Sequence, residues 1–451
     1  MESYKNFLEK IRKSRSPVIL WAIPSDVFLH TCATDVSLVF IKNMDTKETI
    51  TVGFNHPDLV SVTDKDDFVR RLNEIETLPN HKWVFDKKSF IQFLPVKDLF
   101  DINLYCHLQE GWTIEEETYH TKAHKFIYRS KRDCGDLNKV VPLLKHKETF
   151  EKMCNEFFKV DINLSDSEYG YRKENEIVVE TLAELESNGI YVNRECFSKH
   201  FDARIQPNGL VYSKYNFYTS TGRPSNHFDN VNYAALNKEN GVRTCFTSRH
   251  GLDGMMILID YSAFHPRIIC NVTNFPMSID EDIYKYLGEM YLHRKVTEYD
   301  LEEIKSITMR QLYGGVEEKY ENIKYFSNLK EFKNWNWQFF KENGYVLTPT
   351  FRRKITDQHL KDANPEKLFN YILQATETEV ALSAVHWVNK YLRDKKTKAV
   401  LYTYDSLLFD FHKSDGPKVL TDIMNIMMMG KRFPIKVYKG ESYDSVIQIY
   451  P

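Results

Sequence analysis

A chain of 451 residues suggests two or three domains, and 42% hydrophobic content supplies enough apolar material for real cores. A formal net charge of −2 excludes a globally basic polyanion binder, so any nucleic-acid surface has to be local. Seven cysteines, an odd number with no C-x-x-C pair, predict a reducing compartment without a disulfide framework or zinc knuckle. No apolar run approaches the ~18 residues of a membrane span. The charged, amphipathic start MESYKNFLEKIRKSRS lacks the apolar core of a signal peptide, so the expected location is cytoplasmic.

Residues 1–165 read as an α/β domain. VILWAI at 18–23 and VSLVFI at 36–41 are strand-length apolar runs, and 48–54 is a third strand candidate. FVRRLNEI at 68–75 reads as a helix and WVF at 83–85 as another strand. This alternation predicts a mixed sheet with helices packed on it. The basic cluster Arg129-Ser-Lys-Arg132 reads as a solvated face, with contact to a phosphate backbone as the alternative.

Residues 171–192 predict a helix, with Gly189 as the left-handed residue that ends it. Residues 210–217 alternate like a strand. TSTGRPS at 219–225 follows as a hydroxyl-rich turn around Arg223, whose guanidinium there can donate to nucleic-acid sugars and bases.

In MMILIDYSAFHPR at 255–267, the apolar run reads as a buried strand that stops at Asp260. LEEIKSITMRQLYGGV at 301–316 reads as a helix ended by Gly314-Gly315. Lys305, Met309 and Tyr313 are spaced i, i+4, i+8 and share one of its faces. A cation, a hydrophobe and an aromatic on one face suit a nucleotide. AVLYTYDSLLFDF at 399–411 predicts a hairpin with Asp405 at its tip. Two strand-borne aspartates could converge on one pair of divalent ions. Mg²⁺ takes oxygen ligands and keeps waters and phosphates in its shell. Two such ions roughly 3.5–4 Å apart can activate a 3′-hydroxyl and steady a leaving pyrophosphate.

Taken in order, these segments resemble a family A (Pol I-like) DNA polymerase over roughly residues 171–451. Asp260-Tyr-Ser-Ala-Phe-His-Pro-Arg267 resembles motif A, D-Y-S-Q-I-E-L-R. Lys305 to Gly314 resembles motif B, and Tyr404-Asp405-Ser406 resembles motif C, H-D-E. Thr219 to Ser225 is similar to the family's T-x-T-G-R-L-S turn, and Asn370-Tyr-Ile-Leu-Gln374 to its N-x-x-x-Q helix. Gly344-Tyr-Val-Leu-Thr348 with Arg352-Arg353 looks like its G-Y-V-x-T…G-R-R segment, and 182–192 like the helix before the thumb.

The resemblance implies template-directed addition of dNTPs to a primer 3′-OH on primer-template DNA. Two Mg²⁺ ions, replaceable by Mn²⁺, would be held by Asp260, Asp405 and the backbone carbonyl of Tyr261. Lys305 would hold the triphosphate and aid proton transfer to pyrophosphate, with help from Arg310 or Arg294. Tyr261, Ser262, His265, Met309 and Tyr313 would complete the nucleotide pocket. Arg223, Thr221, Asn230, Asn370, Gln374, Arg352 and Tyr404 would face DNA, with Arg223, Asn370 and Gln374 checking the minor groove at the primer end. Arg267 would support motif A structurally.

The implied fold is a right-hand polymerase preceded by an RNase H-like 3′–5′ exonuclease-type domain. Its parts are a degenerate exonuclease-like domain (1–165), a connecting helix with reduced thumb (166–209), palm (210–270), fingers (271–350) and palm again (351–451). Departures from the family carry expectations of their own. His265 stands at the sugar-gate glutamate and Met309 at the aromatic beside the sugar, which predicts weakened discrimination against ribonucleotides; Leu301 stands at a triphosphate-binding arginine, which leaves more of that charge to Lys305, and Ser406 at the motif C glutamate, which leaves two principal carboxylates. Residues 193–207 have room for at most one helix of roughly 22 Å, so a processivity partner or the N-terminal domain would replace the thumb, or the enzyme would be weakly processive alone. Asn80-His-Lys-Trp-Val-Phe-Asp86 is faintly similar to an exonuclease motif and 100–104 to the strand after it, yet the 18–24 strand carries no acid, which predicts no proofreading. The missing parts suggest a viral or other mobile element. Two other classes stay open: a non-catalytic nucleic-acid-binding or assembly protein on a decayed polymerase fold, and a palm-type RNA polymerase or reverse transcriptase.

Overall fold

The computed structural model describes every residue except 1, 15, 27–28, 112, 115–140, 161–165, 238–239, 445 and 451. The basic cluster at Arg129 lies outside the described residues. The chain divides into two compact units, Met1–Arg172 and Lys173–Pro451.

The first unit holds strands β1 (Val18–Pro24), β2 (Val36–Asn43), β3 (Thr49–Gly53), β4 (Lys82–Val84) and β5 (Leu99–Asp101) in the order β3-β2-β1-β4-β5. β1 pairs antiparallel with β2 and parallel with β4, so the sheet is mixed as expected. Helices α1 (Glu2–Ser14), α2 (Lys65–Glu76), α3 (Lys87–Phe93), α4 (Ile102–Glu110) and α5 (Leu143–Phe157) complete it. β1 is apolar without alternation because both of its faces are covered. Val18, Leu20 and Ala22 join a core with Phe7, Ile11 and Ile75, while Ile19, Trp21 and Ile23 join one with Phe150, Met153 and Phe157. The strand expected over 100–104 is cut short. Asp101 turns the chain into α4 by accepting the Leu104 N–H at 2.9 Å, an N-cap that ends β5.

α6 (Asp166–Asn188) carries the chain into the second unit and ends at Gly189, whose φ of +58° is the left-handed turn foreseen there. β6 (Ile190–Tyr191) pairs antiparallel with β7 (Leu210–Val211), so the segment between them leaves and returns at one place. It carries a single seven-residue helix, α7 (Arg194–His200). The continuous strand expected over 210–217 is instead two short ones. β7 pairs with β6, whereas β8 (Tyr215–Asn216) pairs with β9 (Ser225–Phe228) and through it with β10 (Val231–Asn232). The chain changes sheets between them, and no single ladder spans it.

Next come β11 (Gly254–Tyr261), α8 (Phe264–Val272), α9 (Ile283–Leu292), α10 (Leu301–Tyr313), α11 (Lys324–Asn343) and the hairpin of β12 (Tyr345–Leu347) and β13 (Lys354–Thr356). The chain closes with α12 (Pro365–Tyr391), β14 (Lys398–Thr403), β15 (Ser406–His412), α13 (Gly416–Met427), β16 (Ile435–Gly440) and β17 (Val446–Tyr450). The main sheet runs β14-β15-β11-β16-β17, with β11 at its centre.

The cysteine expectation is corrected here. Cys196 on α7 and Cys245 form a disulfide across 49 residues of sequence. Spacing rules find partners close in sequence, and this pair meets only through packing. No helix of the described residues is long and apolar enough to cross a membrane.

Candidate active site

The central ladder brings the two aspartates together. Asp260 lies directly opposite Ser406 in the β11–β15 register, and the Tyr261 N–H donates to the Asp405 carbonyl at 2.9 Å. Residues opposite each other in an antiparallel pair share a face, with Cβ atoms about 4.5–5.5 Å apart. Asp405 is one residue further, in the two-residue turn between β14 and β15, where Tyr404 takes φ of +58°. β11 does not stop at Asp260 but continues through Tyr261.

Electrostatics report the same convergence. The buried Tyr443 phenol has a raised pKa, first from desolvation, with Arg243 opposing and both Asp260 and Asp405 adding to the rise. Asp405 is solvent-accessible yet walled by protein. Its own pKa is raised by desolvation and then by the negative charge of Glu377. Crowded negative charge of this kind is relieved by a cation. The donor set is oxygen only, two carboxylates and backbone carbonyls, which fits a hard divalent ion with open positions.

Beside the aspartates lies a chain of polar contacts that joins four elements. Glu377 on α12, its side chain 3% exposed, has Oε2 at 3.2 Å from both Arg223 Nε and His265 Nε2. Arg223 Nη2 also donates to Glu377 Oε1 at 3.4 Å, and its guanidinium stacks on the Tyr404 ring at 3.7 Å. His265 Nδ1 sits 2.5 Å from the Tyr313 hydroxyl. The turn, the start of α8, the end of α10 and the middle of α12 are thus tied through one carboxylate. The turn itself is built on Gly222 (φ +70°). A Cβ there would lie 1.5 Å from Nη1 of the buried Arg353, which donates to the Thr219 carbonyl at 2.8 Å.

The predicted face of α10 is open. Lys305 and Tyr313 are exposed and Met309 is half-buried, while Ile304, Thr308, Gln311 and Leu312 face the core. The helix ends at Gly314, where a Cβ would lie 2.9 Å from the Arg310 carbonyl. Buried Lys333 on α11 reaches the freed carbonyls of Gln311, at 3.3 Å, and Gly314, a cation at a helix C-terminus. Burial lowers its pKa to about 8.

Other expected site residues fare unevenly. The Tyr261 side chain is not available to a nucleotide. It is buried, stacked on Phe264 at 4.1 Å, and its hydroxyl donates to the Met427 carbonyl at 2.9 Å, which leaves only its backbone for the site. The Ser262 N–H is held by the Pro434 carbonyl at 2.8 Å. Arg310 pairs with Glu317 at 3.2 Å and Arg294 with Asp300 at 2.7 Å, so neither guanidinium stands uncommitted behind Lys305. Arg267 is buried and donates to the Ser278 carbonyl at 2.7 Å, a structural task. Asn370 donates to the Tyr313 carbonyl at 3.4 Å, and Gln374 lies one turn further along α12. Thr221 accepts the Arg223 N–H at 3.4 Å inside the turn. Arg352 is exposed with φ of +54°. Asn230 is in the β9–β10 turn, donating to the Asp202 carbonyl at 3.2 Å, and joins no contact of the cluster.

Sequence reasoning missed Glu377 and Tyr443. A signal for Glu377 existed: Asn370, Gln374 and Glu377 fall at i, i+4, i+7 on one helical face, so an acid shares the face expected to meet DNA. Tyr443 had none, because it sits in the short connection between β16 and β17 and meets the aspartates only through packing.

No protein-family model matches this sequence, and no curated protein does. Among solved structures, the chain is similar to the POL domain of Pol1 from M. smegmatis in complex with DNA primer-template and dNTP. The likeness has a TM-score of 0.66 at 14% identity and covers 97% of each chain. The fold is that of a polymerase domain.

Proposed function

We propose that this protein is a DNA-directed DNA polymerase of the family A type, adding dNTPs to a primer 3′-OH. The observation that carries the reading is the meeting of Asp260, opposite Ser406 in the β11–β15 ladder, with Asp405, whose carbonyl accepts the Tyr261 N–H, beside an open Lys305–Met309–Tyr313 face. Asp260, Asp405 and the Tyr261 carbonyl are the residues that would hold two Mg²⁺ ions. When bound, such ions activate the 3′-oxygen and neutralise charge on the departing pyrophosphate. The protein's own share is positioning and electrostatics. Lys305 neutralises the triphosphate, and Met309 and Tyr313 bracket base and sugar. His265, clamped between Glu377 and Tyr313, occupies the space beside C2′ and replaces a carboxylate gate by bulk, so ribonucleotides are excluded less strictly. Arg223, aligned by Tyr404 and Glu377, reads the minor groove at the primer end with Asn370 and Gln374.

The region 166–209 serves as a connecting helix with a reduced thumb, 210–270 and 351–451 as palm and 271–350 as fingers. A roughly 10 Å helix is too short to grip a duplex, so a processivity partner holds the DNA. The N-terminal unit is a proofreading-dead relative of an exonuclease domain. Support comes from its acids. Asp86 accepts from the Ser89 N–H (3.1 Å) and hydroxyl (2.6 Å), Asp101 accepts from the N–H groups of Lys87 (3.0 Å) and Leu104 (2.9 Å), and β1 offers no carboxylate. Both acids are spent on helix caps. A viral or mobile-element origin fits so reduced a polymerase.

One gel tests the reading: a primed template with Mg²⁺ and dNTPs, wild type against Asp405→Ala. Extension by the wild type alone is expected, and a mismatched primer end is expected to stay untrimmed. Equal extension by both, or none by either, defeats the polymerase assignment.

A further inference from the structure

A second cluster of chemically potent side chains lies outside the site described so far. Cys196 and His200 sit i, i+4 on α7 and share a face. Cys245 ends the short turn Val242–Cys245. The two sulfurs and a His200 ring nitrogen all lie within 4.8 Å of one another, the only such His/Cys/Asp/Glu trio among the described residues. Cys245 is buried, Cys196 half-buried and His200 exposed, so the trio opens to solvent on one side.

The two halves of the cluster are held in place without help from the sulfur–sulfur bond. Asn193 caps α7, accepting the Cys196 N–H at 2.9 Å. The Asn193 N–H in turn donates to the Cys245 carbonyl at 2.8 Å. The Thr244 hydroxyl donates to the Gly241 carbonyl at 2.5 Å and lies 3.7 Å from Cys196 Sγ, which fixes the Cys245 segment against α7. Opening the disulfide therefore leaves two thiols and an imidazole in a prepared pocket. Two sulfurs and one nitrogen are the donor set of zinc-class ions, and two thiolates cancel the ion's charge in a partly buried setting.

We propose that Cys196, His200 and Cys245 form a redox-gated Zn²⁺ site, closed as a disulfide when oxidised and metal-binding when reduced. The steps balance. A dithiol reductant supplies two electrons and two protons to the Cys196–Cys245 bond and leaves as its own disulfide. Zn²⁺ then displaces both thiol protons, takes the neutral His200 nitrogen and completes its shell with water. Either state links α7 to the Cys245 segment. Phe246, the next residue, accepts the Tyr443 N–H at 2.9 Å, so the link braces the neighbourhood of the two aspartates. The proposal does not depend on the polymerase reading.

The test uses the full chain, purified with a phosphine reductant, given Zn²⁺ and desalted, with metal measured by mass spectrometry. About one Zn²⁺ per chain is expected, released on oxidation to the disulfide. His200→Ala, a surface change, should weaken retention about tenfold or more while the disulfide still forms on oxidation, which shows that the region remains folded. Co²⁺ should give a thiolate charge-transfer band that Cys196→Ser abolishes. Reduced protein without retained Zn²⁺, or His200→Ala retaining it as tightly as wild type, overturns the site.

Discussion

Glu377→Gln keeps the side-chain volume and removes the charge on which Arg223 and His265 converge. At 3.2 Å from Arg223 Nε, the attraction in an effective dielectric of about 20 is about 5 kcal/mol gross. Desolvating Glu377 offsets much of that. Arg223 also remains 29% accessible in its side chain, so screening discounts the rest. A net loss on the order of 2 kcal/mol remains, about 30-fold in a rate constant. The assay is single-nucleotide primer extension with matched dNTP, read as kcat/KM beside a thermal melt, so that a folding defect is seen separately. Arg223→Ala should lose a similar amount, and the double variant little more than the worse single change, because both act on one interaction. Activity of Glu377→Gln within about twofold of wild type, or fully additive losses, would refute the idea that this carboxylate organises the site. The variant also removes one of the charges that raise the Asp405 pKa, so the acidic limb of the pH–rate profile should move to lower pH.

His265→Ala removes the bulk beside Tyr313, and the ratio of rNTP to dNTP incorporation should rise about tenfold; an unchanged ratio separates His265 from sugar selection. A strong dNTP preference by the wild type would also contradict the weakened gate. With a DNA trap present, the isolated protein should make only short products, and long products from single binding events would mean that the duplex is gripped without a partner. Asp101→Asn tests the N-terminal unit through pH. Burial, then the Asp86 charge, raises the Asp101 pKa from 3.8 to about 7. A raised folded-state pKa means that the fold prefers the protonated acid, so this contribution is complete below about pH 4 and is lost as pH rises towards 7. The slope is up to about 1.4 kcal/mol per pH unit. Wild-type stability should fall across that window while Asp101→Asn stays flatter, and parallel denaturation curves would count against it.

The local code was legible wherever one stretch of chain contained all the information. The apolar run before Asp260 marked a central strand, the Tyr404–Ser406 break marked a hairpin tip, Gly189 marked a helix end, and the i, i+4, i+8 spacing marked the open face of α10. These follow from periodicity and backbone sterics, which act between near neighbours. Tertiary packing decided which of these pieces meet. Nothing in the residues alone shows that Asp260 faces Ser406, that Tyr261 turns its ring into the core, or that Glu377 reaches Arg223, because ladder register and helix docking are set by elements far away in sequence. Cys196 and Cys245 make the point in miniature: each is an ordinary cysteine until the packing of α7 brings the two sulfurs together.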